Sequence, residues 1–402
     1  MKRNINASVK SMAVILIALN AFVYICSSLY VPFLGAYYSE EGINASQIGI
    51  LLAIGPIIAI LIQPLWARLS DYTGRRREIL MLVTFGCALA ILTYYLGNNF
   101  MGYFFVTILL SAFSTSILPL CDAIVVDRAS KINFNFAYVR LGGTLGYALT
   151  VSLAGHILKA RPAAAFIMAS GSYLIMTCII SRLPKEHKAK PHMDMPHRLQ
   201  KSKTKIFKDK EIIFVLLFAF ICQVGLCFCT GFMGVYLLKL GYNQSDIGTM
   251  NTISALSEVP ILLCIRKLLK KFGTMKILAF SGIVTSMRIF MVTGETLTNF
   301  VLSQLMQSMS YMTTYYCCVT YISEHVAPEH RSRGQGMLAI VQAGLGSIGG
   351  MMLGGRVIDL IGMHNSYILM GSMVLSISVL IILAYFIFIN KSLIRAKIFK
   401  NG

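Results

Sequence analysis

The chain has 402 residues, 56% of them hydrophobic and 13% charged, with a mean hydropathy of +0.70. A soluble chain carries about 25% charged residues, so this composition argues against a soluble two-domain protein. The net charge of +20 would suit a nucleic-acid binder only if the basic residues formed one contiguous face, and their distribution along the chain points elsewhere.

Apolar runs long enough to cross a bilayer recur from end to end. They predict twelve helices, near 11–38, 47–67, 78–97, 101–126, 135–158, 163–182, 212–239, 246–265, 275–293, 298–322, 335–358 and 366–390. The first follows Lys2, Arg3 and Lys10. It is longer than the apolar region of a signal peptide and ends in aromatic and proline residues, which reads as a retained helix. The ten cysteines all lie in apolar stretches without zinc-site spacing and read as reduced, small hydrophobic side chains.

The gaps between these helices separate the charge. Counted on alternate sides, 30 of the 36 Lys and Arg residues fall on the side that holds both termini and the long stretch from 183 to 211, while Lys159, Arg161 and Lys239 fall on the other. The preference of basic loops for the cytoplasm places both termini and that central stretch inside the cell. It also accounts for the net charge without nucleic acid. His187, His192 and His197 belong to this basic stretch and read as part of a solvated linker rather than a metal tract.

The two halves repeat at an offset of 199. Phe33, Gly35 and Tyr37 match Phe232, Gly234 and Tyr236; Gly42, Asn44, Ser46, Ile48 and Gly49 match Gly241, Asn243, Ser245, Ile247 and Gly248; Gly74 matches Gly273. The offset spans six helices, so both copies run the same way. The expected architecture is an all-α membrane protein of two parallel six-helix pseudo-repeats, 1–182 and 212–402, joined by a cytoplasmic basic linker, 183–211. This is a transporter plan with its site between the halves.

Four ionisable residues interrupt the apolar runs: Asp122 on the fourth helix, Arg140 on the fifth, Glu258 on the eighth and Arg288 on the ninth. Each costs at least about 2.5–3.5 kcal/mol at bilayer depth unless paired or hydrated. One acid and one arginine fall in each half, and an Arg–carboxylate fork can exchange its partner for a solute or a proton. Asn20, Tyr24, Tyr30, Gln223, Tyr311, Tyr315 and Tyr316 are further candidates to line a cavity. Between the second and third helices, Trp66-Ala-Arg-Leu-Ser-Asp71-Tyr-Thr-Gly74-Arg75-Arg76-Arg77 places an acid three residues before a turn glycine, where it could accept hydrogen bonds from a neighbouring helix N-terminus and lock one conformation.

That loop resembles the cytoplasmic signature of the major facilitator superfamily at Asp71, Gly74 and Arg75, departing from it at Ala67 and Tyr72. Within the superfamily the chain is similar to the lactose permease, nucleoside–proton symporter and phenylpropionate permease branch. The similarity lies in the Pro32-Phe33 helix end, Gly42…Gln47-Ile48-Gly49, Asn133-Phe-Asn-Phe-Ala-Tyr-Val-Arg140, Glu258-Val-Pro260, Ser286-Met-Arg288 and Pro328…Arg331…Gln335. The resemblance implies a major facilitator fold and a secondary active transporter that imports a sugar, nucleoside or aryl acid by proton symport with alternating access. A drug or metabolite exporter of the same fold is the alternative. It implies substrate contacts at Asp122, Arg140, Glu258, Arg288, Asn20, Tyr24 and Gln307, proton coupling at Glu258 and then Asp122, and a conformational gate at Asp71, Gly74 and Arg75. Gln307 stands where the branch has a proton-carrying His, and Ser310 where it has a Glu. No nucleotide loop, zinc motif or nucleophile elbow is present, so an enzyme is not expected. Nor is a metal or cofactor: the proton gradient is the expected driving force. The expected partners are a small-molecule substrate and the lipid bilayer, without nucleic acid, for a multi-pass monomer in the cell membrane.

Overall fold

The computed structural model describes residues 2–184, 210–326 and 330–398, and among these every regular element is helical. The expected linker therefore lies almost wholly outside the described residues, with its three histidines, as does Pro328. Twelve helical spans follow one another. They are α1 (Lys2–Ser28, prolonged by Val31–Phe33 and Leu34–Glu40), α2 (Ala45–Thr73), α3 (Arg76–Leu92 with Thr93–Leu96), α4 (Phe100–Ser114 and Ile117–Lys131), α5 (Phe136–Leu158) and α6 (Ala164–Ser181). Then come α7 (Lys210–Lys239), α8 (Gln244–Phe272), α9 (Thr274–Val292), α10 (Leu297–Leu305, Ser308–Met312, Thr313–His325), α11 (Arg331–Ala339, Ile340–Gly346, Ser347–Ile361) and α12 (Met363–Ile398). Ten are long and apolar enough to cross a membrane by the described residues alone. The other two, α8 and α10, carry Glu258 and Gln307.

The internal repeat is visible in the backbone. Helices α2 and α8 both have 29 residues, and both of their ends are displaced by the same 199 positions. Asn44 Oδ1 accepts from Gln47 N at 2.9 Å at the start of α2, and Asn243 Oδ1 accepts from Ser245 N at 2.9 Å before α8. Such caps satisfy N–H groups that a helix start leaves orphaned. Gly74 ends α2 in the left-handed conformation with φ 62° and ψ 17°, and Gly273 follows α8 with φ 83° and ψ 149°; glycine enters both positive-φ conformations without a Cβ clash.

The chain divides into two compact units, Met1–Leu199 with Gly231–Leu256, and Gln200–Thr230 with Ser257–Gly402. In the first, α1 packs on α5 and α6, α3 on α6, and α2 on α4. The α1–α5 approach is close enough that a Cβ on Gly143 would stand 2.6 Å from both Asn20 Oδ1 and the Tyr24 ring. Tyr38, Tyr94 and Thr107 form a buried triangle of hydroxyls, each 3.0 Å from the next. In the second unit α9 packs on α12, as its repeat counterpart α3 packs on α6, and Ser286 Oγ donates to Gly371 O at 2.7 Å across that seam. Large apolar residues remain exposed along α12, among them Leu380 at 63% and Ile387 at 56%. Such surface is stable where the solvent is lipid.

The C-terminus of α6 is closed by arginines from two other helices. Arg77, at the start of α3, donates from Nε to Ile180 O at 3.1 Å and from its terminal nitrogen to Ser181 O at 2.5 Å. Arg128 of α4 donates to Pro184 O at 2.7 Å. The last carbonyls of a helix have no partner of their own, and a cation there also meets the negative end of the helix dipole. Each hydrogen bond to a charged group contributes about 1.5–3 kcal/mol. Arg77→Ala is therefore expected to lower the melting temperature in detergent by several degrees, whereas Arg75→Ala, whose side chain is exposed, leaves it unchanged; equal melts for the two variants would remove the cap from the account.

Candidate functional site

The first unit brings together four of the expected residues. The kink of α4 at Thr115 and Ser116 is followed by Ile117–Lys131, which carries Asp122 into the bundle. Asp122 is half-buried, and its Oδ1 is enclosed without a hydrogen-bond partner. Arg140 of α5 is the opposing charge that acts on it. The two do not form the expected fork: no direct ion pair joins them. Arg140 instead lies with Cζ 5.2 Å from the centre of the Tyr24 ring, within range of a cation–π attraction. One turn earlier on α1 is Asn20, with no exposed surface and neither amide atom hydrogen-bonded. Gly143 supplies the space that this amide occupies.

The second unit contains a chain of polar contacts. Arg288 of α9 has no exposed surface. One of its terminal nitrogens donates to Gln307 Oε1 and the other to Gln304 Oε1, the latter at 3.2 Å. Gln307 Nε2 in turn donates to Glu258 Oε1 at 3.5 Å. The expected Glu258–Arg288 pair is thus joined through an amide rather than by a fork. An amide suits that position because it offers an acceptor to the cation and a donor to the carboxylate at once. Ser303 Oγ donates to Arg288 O at 3.0 Å, tying α9 to α10 at the same level. Immediately after Gln307 the helix widens into the π-helical stretch Ser308–Met312, a distortion often found at functional sites. Gln304 is absent from the sequence expectations. Its signal was a second amide three residues before Gln307, which the helical repeat places on the same face.

Other candidates distribute differently. Gln223 of α7 donates to Ser347 Oγ at 3.2 Å, beside the π-helical stretch Ile340–Gly346 of α11, where Gln342 Nε2 is buried without a partner. Tyr30 is packed, its hydroxyl 3.2 Å from that of Tyr173. Tyr311 and Tyr315 stack on each other, and Tyr316 accepts from Arg266 at 3.0 Å. In the gate loop, Gly74 takes the turn conformation expected of it. Asp71 does not reach a helix N-terminus: it is 71% exposed and pairs with Arg76 at 3.2 Å across its own turn. Arg75 caps nothing with its side chain, and the structural role in this loop falls to Arg77, two residues later.

Comparison with known proteins agrees with this architecture. The MFS_1 like family model matches residues 15–369. The uncharacterized transporter YwbF of Bacillus subtilis is 23% identical over 355 residues, covering 87% of this chain and 88% of that protein. The maltose permease of Geobacillus stearothermophilus is 25% identical over 334 residues, covering 82% and 83%. The crystal structure of the nucleoside transporter NupG superimposes with a TM-score of 0.81 at 17% identity, over 93% of this chain and 98% of that one. Twelve helical spans among the described residues, an internal repeat, a buried Arg288 held by amides and a family match over most of the chain lead to one assignment: the protein belongs to the MFS_1 like family of the major facilitator superfamily and is a multi-pass plasma-membrane transporter of a small molecule, not an enzyme.

Proposed function

We propose that this transporter imports a neutral, hydroxylated solute, a sugar or a nucleoside, together with protons, by alternating access, with both termini in the cytoplasm. The observation that carries this reading is Asn20. A buried amide with both polar atoms unpartnered costs about 1–3 kcal/mol, which a bound solute offering hydroxyl donors and acceptors recovers. The adjacent Tyr24 face, with Arg140 over it, is a platform for a sugar ring or a base. An aryl acid would instead have to draw on Arg140, which lies over the Tyr24 ring without an ion pair to Asp122, because Arg288 already gives its terminal nitrogens to two amide oxygens. A maltose permease and a nucleoside transporter among the similar proteins fit a neutral solute.

In this reading Glu258 carries the proton and Asp122 is the second carboxyl available to do so. Protonating Glu258 removes the charge that holds the Gln307 amide, and through that amide reaches Arg288. No cofactor takes part. The alternating-access part of the reading draws on the first unit, where the start of α8 meets α1 and α5 through hydrogen bonds and close backbone approaches. Gln244 Nε2 donates to Glu40 Oε1 at 3.2 Å, Ser245 Oγ lies 3.2 Å from His156 Nε2, and a Cβ on Gly155 would stand 2.7 Å from Gln244 O. A seam held by hydrogen bonds and close glycine contacts opens at lower cost than a packed apolar core.

Uptake of sugars, nucleosides and aryl acids into proteoliposomes, with and without an imposed pH gradient, tests the proposal. Accumulation of a neutral sugar or nucleoside that follows the gradient is expected; uptake indifferent to the gradient would leave facilitated diffusion. Glu258→Gln should lose accumulation but keep exchange of solute across the membrane. Asn20→Leu should reduce apparent affinity about tenfold, the equivalent of about 1.4 kcal/mol, with an unchanged or higher melting temperature, since it removes an unsatisfied buried group. A lower melt with affinity intact would show Asn20 to be structural. Gln307→Leu leaves a buried guanidinium without one acceptor and should cost about 1–3 kcal/mol of stability, read as a lower melting temperature.

A further inference from the structure

We propose that the first unit carries a binding site for an anionic phospholipid, in the cleft between α1 and α6. The cleft has a volume of about 810 Å³ and is lined from α1 by Lys10, Ser11 and Val14 and from α6 by Ile175, Cys178 and Arg182, among others. Its chemistry is divided along its length. Lys10 and Arg182 stand at one end, both exposed and neither engaged in a hydrogen bond or ion pair among the described residues. Below them the walls are apolar and open, with Val14 at 65% and Ile175 at 51% exposure.

Three observations select this occupant. First, the dimensions match one leaflet. The lining residues on α1 run from Lys10 to Ala18, about 12 Å at 1.5 Å per residue, against the roughly 15 Å depth of half a hydrocarbon core. A phosphate at the basic rim therefore puts its acyl chains along the apolar walls. Second, among the described residues the two cations have no fixed partner. The carbonyls of Ile180 and Ser181 at the end of α6 are already taken by Arg77, and that of Pro184, just beyond it, by Arg128. That leaves Lys10 and Arg182 for an anion from outside, and a basic pocket between helices at the membrane surface is a recurrent headgroup site. Third, the cleft is separate from the solute site. At 100° per residue its α1 lining faces about 130° away from Asn20 and Tyr24. A zwitterionic lipid would fill the walls but leave the two cations uncompensated, and free phosphate would use the rim alone.

The test uses the full chain, purified in mild detergent and titrated separately with phosphatidylglycerol, phosphatidylethanolamine and inorganic phosphate, with adducts read by native mass spectrometry. Phosphatidylglycerol should be retained at least about tenfold better than phosphatidylethanolamine, and phosphate alone should not displace it. The double variant K10Q/R182Q should lose that preference, while K270Q/K271Q, which removes two exposed charges from the end of α8, should keep it. Cys178 on the cleft wall is an internal probe: its alkylation, read by peptide mass, should slow in phosphatidylglycerol but not in phosphatidylethanolamine, with alkylation of Cys264, also exposed, unchanged. This readout holds even if the double variant does not fold. Equal retention of the two lipids, full displacement by phosphate, unaltered preference in K10Q/R182Q, or a second copy of the chain covering Cys178 in place of lipid would each overturn the proposal.

Discussion

A guanidinium with no exposed surface must be received by oxygens that its own helix cannot provide. Arg288 is in that position, and the arrangement of the second unit follows from it. In a low-dielectric interior an uncompensated charge costs several kcal/mol even after relaxation, so α10 must present acceptors at the level of Arg288. It does so with Gln304 and Gln307. Glu258 then joins the network through the free end of the Gln307 amide. An amide cannot be ionised, so it fixes the geometry of the chain while leaving any change of charge to Glu258.

The backbone accommodates these demands in a medium that offers no water to a broken hydrogen bond. Gln307 is followed by a π-helical stretch, and a second one in α11 contains Gln342. A widened turn re-aims side chains without exposing carbonyls, whereas a loop at that depth would expose them. On the α1–α5 side the same need is met by subtraction: Gly143 has no side chain, and the space holds the Asn20 amide against the Tyr24 ring.

What the sequence made legible is whatever depends on local rules and on repetition. The helical spans, the offset between α2 and α8, and the positive-φ glycines Gly74 and Gly273 come from hydropathy, spacing and glycine conformation, each of which acts over a few residues. Partner choice was not legible in the same way. Opposite charges on adjacent helices suggested direct forks, yet Arg140 lies over Tyr24 and Arg288 is bonded to two glutamines. The choice depends on side-chain reach and on neutral polar residues, which composition does not rank. The Arg75-Arg76-Arg77 run shows the limit most clearly. Three identical side chains take three environments: one exposed, one paired with Asp71, one buried in the α6 cap. Only the phase of α3 relative to α6 tells them apart.

The two polar centres differ in a way that bears on how the proposed symport would divide its work. In the first unit the groups are underused: an amide with no partner, a carboxylate oxygen with no donor, and an exposed arginine held mainly by a ring face. In the second, every link from Gln304 to Glu258 is made, and only the Nε of Arg288 is left without a partner. A centre with open hydrogen-bonding capacity gains most from a ligand that brings donors and acceptors. A centre already closed on itself responds instead to a change of charge within it, because protonating one carboxylate alters each bond along the chain. The proposed solute recognition by Asn20, Tyr24 and Arg140, and the proposed proton response by Glu258 through Gln307 to Arg288, therefore place each event where the free energy can change.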